Sequence, residues 1–360
     1  MRLRLTTGFA AVSAAAFAAL FLIGFAGARV TAPAGQAASR AIRVNDAATA
    51  CARRQAKARL RFCRWYSDKS PLNTPIPKSS AIDPESRLMV HRMTESLGDF
   101  VVAVKRWSVP VYYTGSTTKR YNVPIIDSGL AAYGVPIPAS AQPSAPFPPD
   151  ETDGAMMILD PSSSCEYDFW EADKQADGSW TARGLSRIKA NSDGIYDRGA
   201  SARGSGFALG AGLIRPGELK AGAIRHALVF TLPPEYVKGG GPVPPATESD
   251  GNSTLAGAIP EGARVQLAPS FNVDTLEHRW ERTIARALQV YGMYLADRGG
   301  GGVGLVAQNP QSYAHNPFGW GDKTYVYLPR SLVSYLRVLK LPAQSRHEVR
   351  VLPSRCAVIR

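Results

Sequence analysis

A chain of 360 residues with 45% hydrophobic content, 33 Gly and 27 Pro can bury one large core or two ordinary ones, and its many breakers favour turns over long helices. The formal charge of +13 is unevenly spread: Arg2 and Arg4 carry +2, residues 29–66 set nine basic side chains against Asp46, and the rest of the chain is left at about +3. With no finger spacing, no aromatic RNA-binding strand and no basic helix docked to a fold, this charge excludes a nucleic-acid partner.

Taken in chain order, Met1–Arg4 is a short basic start and Leu5–Ala28 holds no charged residue. Phe17–Ile23 is the most apolar stretch of the chain, and Ala26-Gly-Ala28 supplies the small residues of a cleavage site. These are the three regions of a secretory signal peptide over residues 1–28, so the sequence predicts a secreted, extracellular protein. An uncleaved N-terminal membrane anchor is the alternative. Residues 29–80 read as a basic, partly disordered arm, with a linker over 29–50 and a short basic helix over 50–66. Its basic part, 29–66, would be drawn to an anionic envelope surface, with salt screening the attraction.

Residues 81–360 read as a single domain of short strands. Apolar or aromatic runs bounded by turn residues occur at Phe100–Trp107, Val109–Tyr113, Ala155–Asp160, Glu166–Glu171, Ser179–Ala182, Ile224–Leu232, Arg264–Leu267, Thr324–Leu328 and Glu348–Leu352. The Pro-rich stretch 134–150 reads as a surface crossing. One helix is predicted, opened by a capping box at Asp274 and Glu277, with Leu276, Trp280, Ile284, Leu288, Tyr291 and Leu295 on a single apolar stripe. Gly299–Gly302 is predicted to end it, and Gly299–Gly304 to form a flexible connection. No internal repeat is present. The expected fold is therefore mainly β, a jelly-roll-like β-sandwich with one packed amphipathic helix.

The four cysteines are Cys51, Cys63, Cys165 and Cys356. Proximity favours Cys51–Cys63, which leaves Cys165–Cys356 to tie the C-terminal tail to a central strand, but three pairings are possible. No Cys/His cluster has metal-ligand spacing, and neither a metal nor another cofactor is predicted.

The chemistry-bearing stretch is Cys165-Glu-Tyr-Asp-Phe-Trp-Glu171. In an extended strand Glu166, Asp168 and Trp170 share one face, and Glu171 joins them only if a bulge re-aims it. An ordinary half-exposed strand, with Tyr167 and Phe169 inward and the acids outward, is the competing reading. Trp170 is suited to stacking on a sugar ring. His226 begins an apolar strand and is a candidate general base, with Arg225 and Tyr291 as partners in a lyase. Asp297, expected at the end of the helix, needs a partner there, either Arg298 or a backbone amide, because the helix dipole disfavours a carboxylate. Late aromatics (Tyr313, Phe318, Trp320, Tyr325 and Tyr327) suit loops lining a sugar cleft.

The spacing Glu-x-Asp-x-x-Glu resembles the bulged catalytic strand of glycoside hydrolase family 16, the laminarinase and lichenase group. That resemblance implies a jelly roll, Glu166 as nucleophile, Glu171 as acid/base, and Asp168 as the residue that tunes their protonation. Retaining hydrolysis of this kind needs two carboxyls roughly 5–5.5 Å apart. A broader likeness covers Asp153–Asp160, Tyr167–Ala172, Gly210–Glu218, Gly222–Leu228 and Ile284–Asp297. These segments resemble an uncharacterised family of secreted bacterial and fungal proteins, which implies one unit from about 80 to 340 and a single acid in the strand, matching Asp168. The expected function is a carbohydrate-active protein, a retaining glycoside hydrolase acting on an envelope or extracellular polysaccharide. A non-catalytic glycan-binding or cell-envelope protein is the alternative.

Overall fold

In the computed structural model, the residues described are 65–96, 99–126, 128–144, 153–197, 201–345 and Cys356. The predicted signal peptide, the 29–64 part of the arm, the Cys51–Cys63 pairing and the 348–352 strand lie outside them.

Runs such as Met156-Met-Ile-Leu159 and Leu228-Val-Phe230 are apolar at every position because their strands are covered on both faces. In chain order the elements are α1 (Ser86–Glu95), β1 (Asp99–Ala103), β2 (Val111–Tyr113), β3 (Arg120–Ile125), β4 (Leu130–Pro136), β5 (Met156–Asp160), β6 (Cys165–Lys174) and β7 (Trp180–Lys189). They continue with α2 (Pro216–Ala221), β8 (Leu228–Leu232), β9 (Arg264–Leu267), α3 (Arg279–Val290), β10 (Met293–Arg298), β11 (Gly302–Val306), β12 (Tyr325–Leu328) and β13 (Leu336–Val338). A seven-stranded sheet runs β12-β1-β11-β8-β10-β9-β13, and a six-stranded sheet runs β2-β5-β6-β7-β3-β4. Both are mixed. β1–β11, β8–β10, β2–β5 and β3–β7 pair in parallel, and the other named pairs are antiparallel.

The pleat sorts side chains into three cores. Phe100, Val102, Phe230 and Leu295 face Met89 and Met93 of α1 and Ile284 and Leu288 of α3 on the outer side of the larger sheet. Val229, Tyr294 and Ala296 point the other way, toward Val111, Met157, Leu159 and Ile188 of the smaller sheet. Tyr112, Ile158, Tyr167, Phe169 and Trp180 line the far face of the smaller sheet with Val123 and Val135. The chain is thus mainly β, with two sheets packed through a shared core.

Several expectations are corrected. Residues 65–80, assigned to the arm, are folded in: Trp65, Tyr66 and Leu72 lie in the core between the sheets, and the Tyr66 amide donates to the Ala190 carbonyl. Three α-helices are present among the described residues rather than one. The helix predicted from Asp274 starts only at Arg279, where the Glu281 carboxylate accepts the His278 amide at 2.9 Å. It ends at Val290, because Gly292 takes a left-handed φ of 70° and a Cβ there would sit 2.5 Å from the Val265 carbonyl. Tyr291 and Leu295 continue the helical spacing by coincidence, and Met293–Arg298 is strand β10.

The predicted Gly299–Gly304 connection gives way at Gly302 to strand β11, which is buried. Gly304 is small there because a Cβ would meet the Thr231 hydroxyl of β8 at 2.6 Å. The 134–150 crossing begins inside β4, and Ile137, Ala141 and Ser144 are buried. Cys165 and Cys356 form a disulfide, with Cα atoms 5.8 Å apart.

Candidate functional site

β6 carries the densest chemistry. Cys165, Tyr167 and Phe169 face the far core, and so does Ala172, three positions on rather than two. The alternation slips at Glu171, which adopts a left-handed φ of 47°. The register against β7 is unbroken there, with Trp170 opposite Gly184 and Ala172 opposite Ala182, so the extra residue of a bulge is not inserted, and Glu171 pairs with Arg183.

The acids do not point outward. Glu166 and Asp168 are both 0% exposed, on the face turned to the other sheet. The Tyr66 hydroxyl lies 2.8 Å from Glu166 Oε2, and the Gly210 amide donates to Oε1 at 2.9 Å. Asp168 Oδ2 accepts from the Tyr196 hydroxyl at 3.0 Å and the Leu209 amide at 2.8 Å, whereas Oδ1 is buried without a donor. Burial, with the Asp168 charge added, pushes the Glu166 carboxyl well above its ordinary range, and burial pushes Asp168 up to about 6.

Arg203 holds this arrangement in place. Its guanidinium is buried and donates to the carbonyls of Ala208 and Ala211 at 3.0 Å and of Leu209 at 3.2 Å. The same 208–211 loop presents its amides to the two acids. Carbonyls toward arginine and amides toward carboxylates fix the loop from both sides.

His226 belongs to a second cluster. Its Nε2 lies 3.1 Å from Glu218 Oε1 and its Nδ1 lies 2.9 Å from the Ala227 carbonyl. Arg215 pairs with the same carboxylate and stacks over the Trp65 ring at 4.6 Å. Burial pushes the Glu218 carboxyl up, but Arg215 and His226 more than offset this and leave it at about 2. A cavity of about 10 Å³, room for one water, lies among Trp65, Tyr66, Asn73, Gly210, Arg215 and His226. Beside this cluster Arg225 is exposed, and Tyr291 is half-buried, its carbonyl accepting from Arg264.

Asp297 lies on β10 rather than at a helix end. Its Oδ1 accepts the Arg298 amide at 3.0 Å. One carboxylate oxygen from each of Asp297, Asp250 and Glu261 lies within 4.8 Å of the other two, so among the described residues this trio could hold a metal ion. Burial pushes the Glu261 carboxyl up to about 7.

At the outer end of β6, Trp170 is 38% exposed and Glu171 pairs with Arg183 at 2.7 Å. A Cβ on Gly184 would lie 3.4 Å from Trp170, so one side of the indole rests on β7 at that glycine. Of the late aromatics, Phe318 and Trp320 stack on each other at 4.5 Å and are buried, whereas Tyr327 on edge strand β12 is 53% exposed.

The structure therefore brings Glu166 and Asp168 together and sets Glu171 with Trp170. His226 faces a small cavity shared with Tyr66 and Gly210, the two groups bonded to Glu166, whereas Arg225 is exposed and Asp297 groups with Asp250 and Glu261. Sequence reasoning missed Tyr66, Tyr196, Arg203, Arg215, Glu218, Asp250 and Glu261. Tyr66 sat in what read as a basic arm, and Asp250 and Glu261 are isolated acids in loops whose proximity no local spacing reveals. Among the described residues no helix is long and apolar enough to cross a membrane. No family model, no curated protein and no solved structure matches this chain.

Proposed function

We propose that the protein is an exported glycan-binding protein whose contact surface centres on Trp170. The observation that carries the reading is an exposed indole backed by a glycine on the neighbouring strand and flanked by the Glu171–Arg183 pair. A flat apolar ring face stacks on the C–H face of a pyranose, while an adjacent carboxylate and guanidinium accept from and donate to its hydroxyls. The two packed sheets are read as a jelly-roll-like scaffold in outline, with the parallel pairings as departures from it. Export rests on residues 1–28, and a mature N-terminus at Arg29, read by mass spectrometry, is its test.

Hydrolysis is the second reading. The Glu-x-Asp-x-x-Glu spacing on β6 favours it, together with the left-handed backbone at Glu171, which interrupts the alternation of the strand. Against it stands the enclosure of Glu166, whose two oxygens face Tyr66 and Gly210. Binding without cleavage needs no opening of the core.

The test titrates the secreted protein with soluble β-glucans, arabinans and uronans, following tryptophan fluorescence, and assays the same mixtures for reducing ends. Saturable binding without product, weakened at least tenfold in Trp170→Ala, is the expected result. Absence of binding across the panel, or equal binding by Trp170→Ala, overturns the proposal. Reducing ends that vanish in Glu166→Gln would instead establish the hydrolase.

A further inference from the structure

The Asp250, Glu261 and Asp297 cluster has no role in the reading above. Its three carboxylates come from three segments: the 247–254 loop, the turn ahead of β9, and β10. Asp250 is seated by Gly204, where a Cβ would fall 2.7 Å from its carboxyl carbon. Its backbone amide donates to Glu261 Oε2 at 2.9 Å.

Two facts separate this cluster from an ordinary group of surface acids. First, Glu261 is 0% exposed, its Oε1 has no close donor although the Ser249 hydroxyl and the Asp250 amide favour its charged form, and the buried Oδ1 of Asp250 also lacks a donor. A buried carboxylate oxygen without a donor forfeits its hydration with nothing in return, a situation native structures resolve with a proton, a water or an ion. Second, the nearby positive charge falls short. Arg298 lies 2.8 Å from Asp250 Oδ2. Arg203, the other cation near Asp297, directs its donors to the carbonyls of residues 208, 209 and 211. The guanidinium closest to the trio thus offers no hydrogen bond to Glu261.

We infer that Asp250, Glu261 and Asp297 form a binding site for a calcium ion. Three carboxylates with no nitrogen or sulfur ligand make a hard oxygen set, which selects calcium or magnesium over zinc and copper. Ligand number chooses between these two. Magnesium usually keeps several waters and takes one or two carboxylates in a strict octahedron, whereas calcium accepts about six to eight oxygens in a flexible shell. Three carboxylates whose oxygens lie within 4.8 Å of one another therefore suit calcium. Waters would complete the shell. The bound ion would fasten the 247–254 loop to β9 and β10.

The experiment strips the full chain with EGTA, removes the chelator, and then adds calcium or magnesium chloride, reading heat of binding and Tm. One calcium per chain and a Tm rise of about 5 °C at a hundredfold excess over Kd are expected, with a smaller rise for magnesium. Both Glu261→Gln and Asp250→Asn should lose the calcium-dependent rise. Asp250→Asn changes a partly exposed group, so it keeps the test valid if Glu261→Gln does not fold. No calcium-dependent heat or Tm change at millimolar ion overturns the site, as does a rise that persists in Asp250→Asn. An equal rise with magnesium overturns the choice of ion.

Discussion

Asp168→Asn isolates the energetics of the acid pair between the sheets. Asp168 is 0% exposed, and its carboxyl is pushed up to about 6, chiefly by burial. The folded chain therefore holds this proton more tightly than the unfolded chain. Its stabilising effect is fully present below the ordinary aspartate range and is lost as pH rises through about 6. The window from 3.8 to about 6, at about 1.4 kcal/mol per pH unit, makes stability fall by about 3 kcal/mol across it. An asparagine cannot titrate, so the variant removes that slope. The slope change should be larger still, since the Asp168 charge also helps to raise Glu166. The amide must be accommodated against the Leu209 N–H and the Tyr196 hydroxyl, a local cost of about 1–3 kcal/mol that does not vary with pH. Urea unfolding in steps between about pH 4 and about pH 7 separates the two effects, because only the titration changes the slope. A slope in Asp168→Asn equal to that of the wild type would refute the reasoning.

Three further outcomes are expected. Cys356→Ser opens a loop of sequence separation 191, for which the chain-entropy relation gives about 5 kcal/mol, so a loss of about 2–5 kcal/mol should appear in urea unfolding under non-reducing conditions. Glu218→Gln leaves Arg215 and His226 without their buried carboxylate and should cost about 3–5 kcal/mol at neutral pH. Because the Glu218 carboxyl is held down at about 2, that contribution is present above the ordinary glutamate range and fades as pH falls through about 2; unfolding curves at neutral and acid pH check both halves. Gly292→Ala forces a side chain into a left-handed φ and against the Val265 carbonyl, costing about 1–3 kcal/mol from the backbone alone, to be read as a lowered Tm with the β9–β10 amides exchanging faster.

Local chemistry made much of the β structure legible. Arg264–Leu267 forms the strand its apolar run predicts, and Ala155–Asp160 and Thr324–Leu328 differ from the observed strands by one residue at the start. Each is a short apolar or aromatic run closed by turn residues, and its signal lies within a few positions. The helix was legible in its middle but not at its ends, because the spacing of Tyr291 and Leu295 fits a helix as well as it fits the strand they flank or occupy. Only the contact of Gly292 with the Val265 carbonyl decides between them. β11 was invisible for the opposite reason. Its glycines read as a linker, and the purpose of Gly304 appears only when Thr231 of β8 lies against it.

The sequence by itself determined that β6 gathers Glu166, Asp168, Glu171 and Trp170, since the strand signal and the spacing of these residues are local properties. It could not determine which way those side chains faced, because strands covered on both sides have no polar face to read. Tertiary structure decided that Glu166 and Asp168 are enclosed by Tyr66, Tyr196 and the 208–211 loop, and that Trp170 remains open. It also decided the trio of Asp250, Glu261 and Asp297. Asp250 and Glu261 are 11 residues apart and Asp297 lies well beyond them along the chain, and only the pairing of β9 with β10 and the fold of the preceding loops bring their charges within reach of one ion.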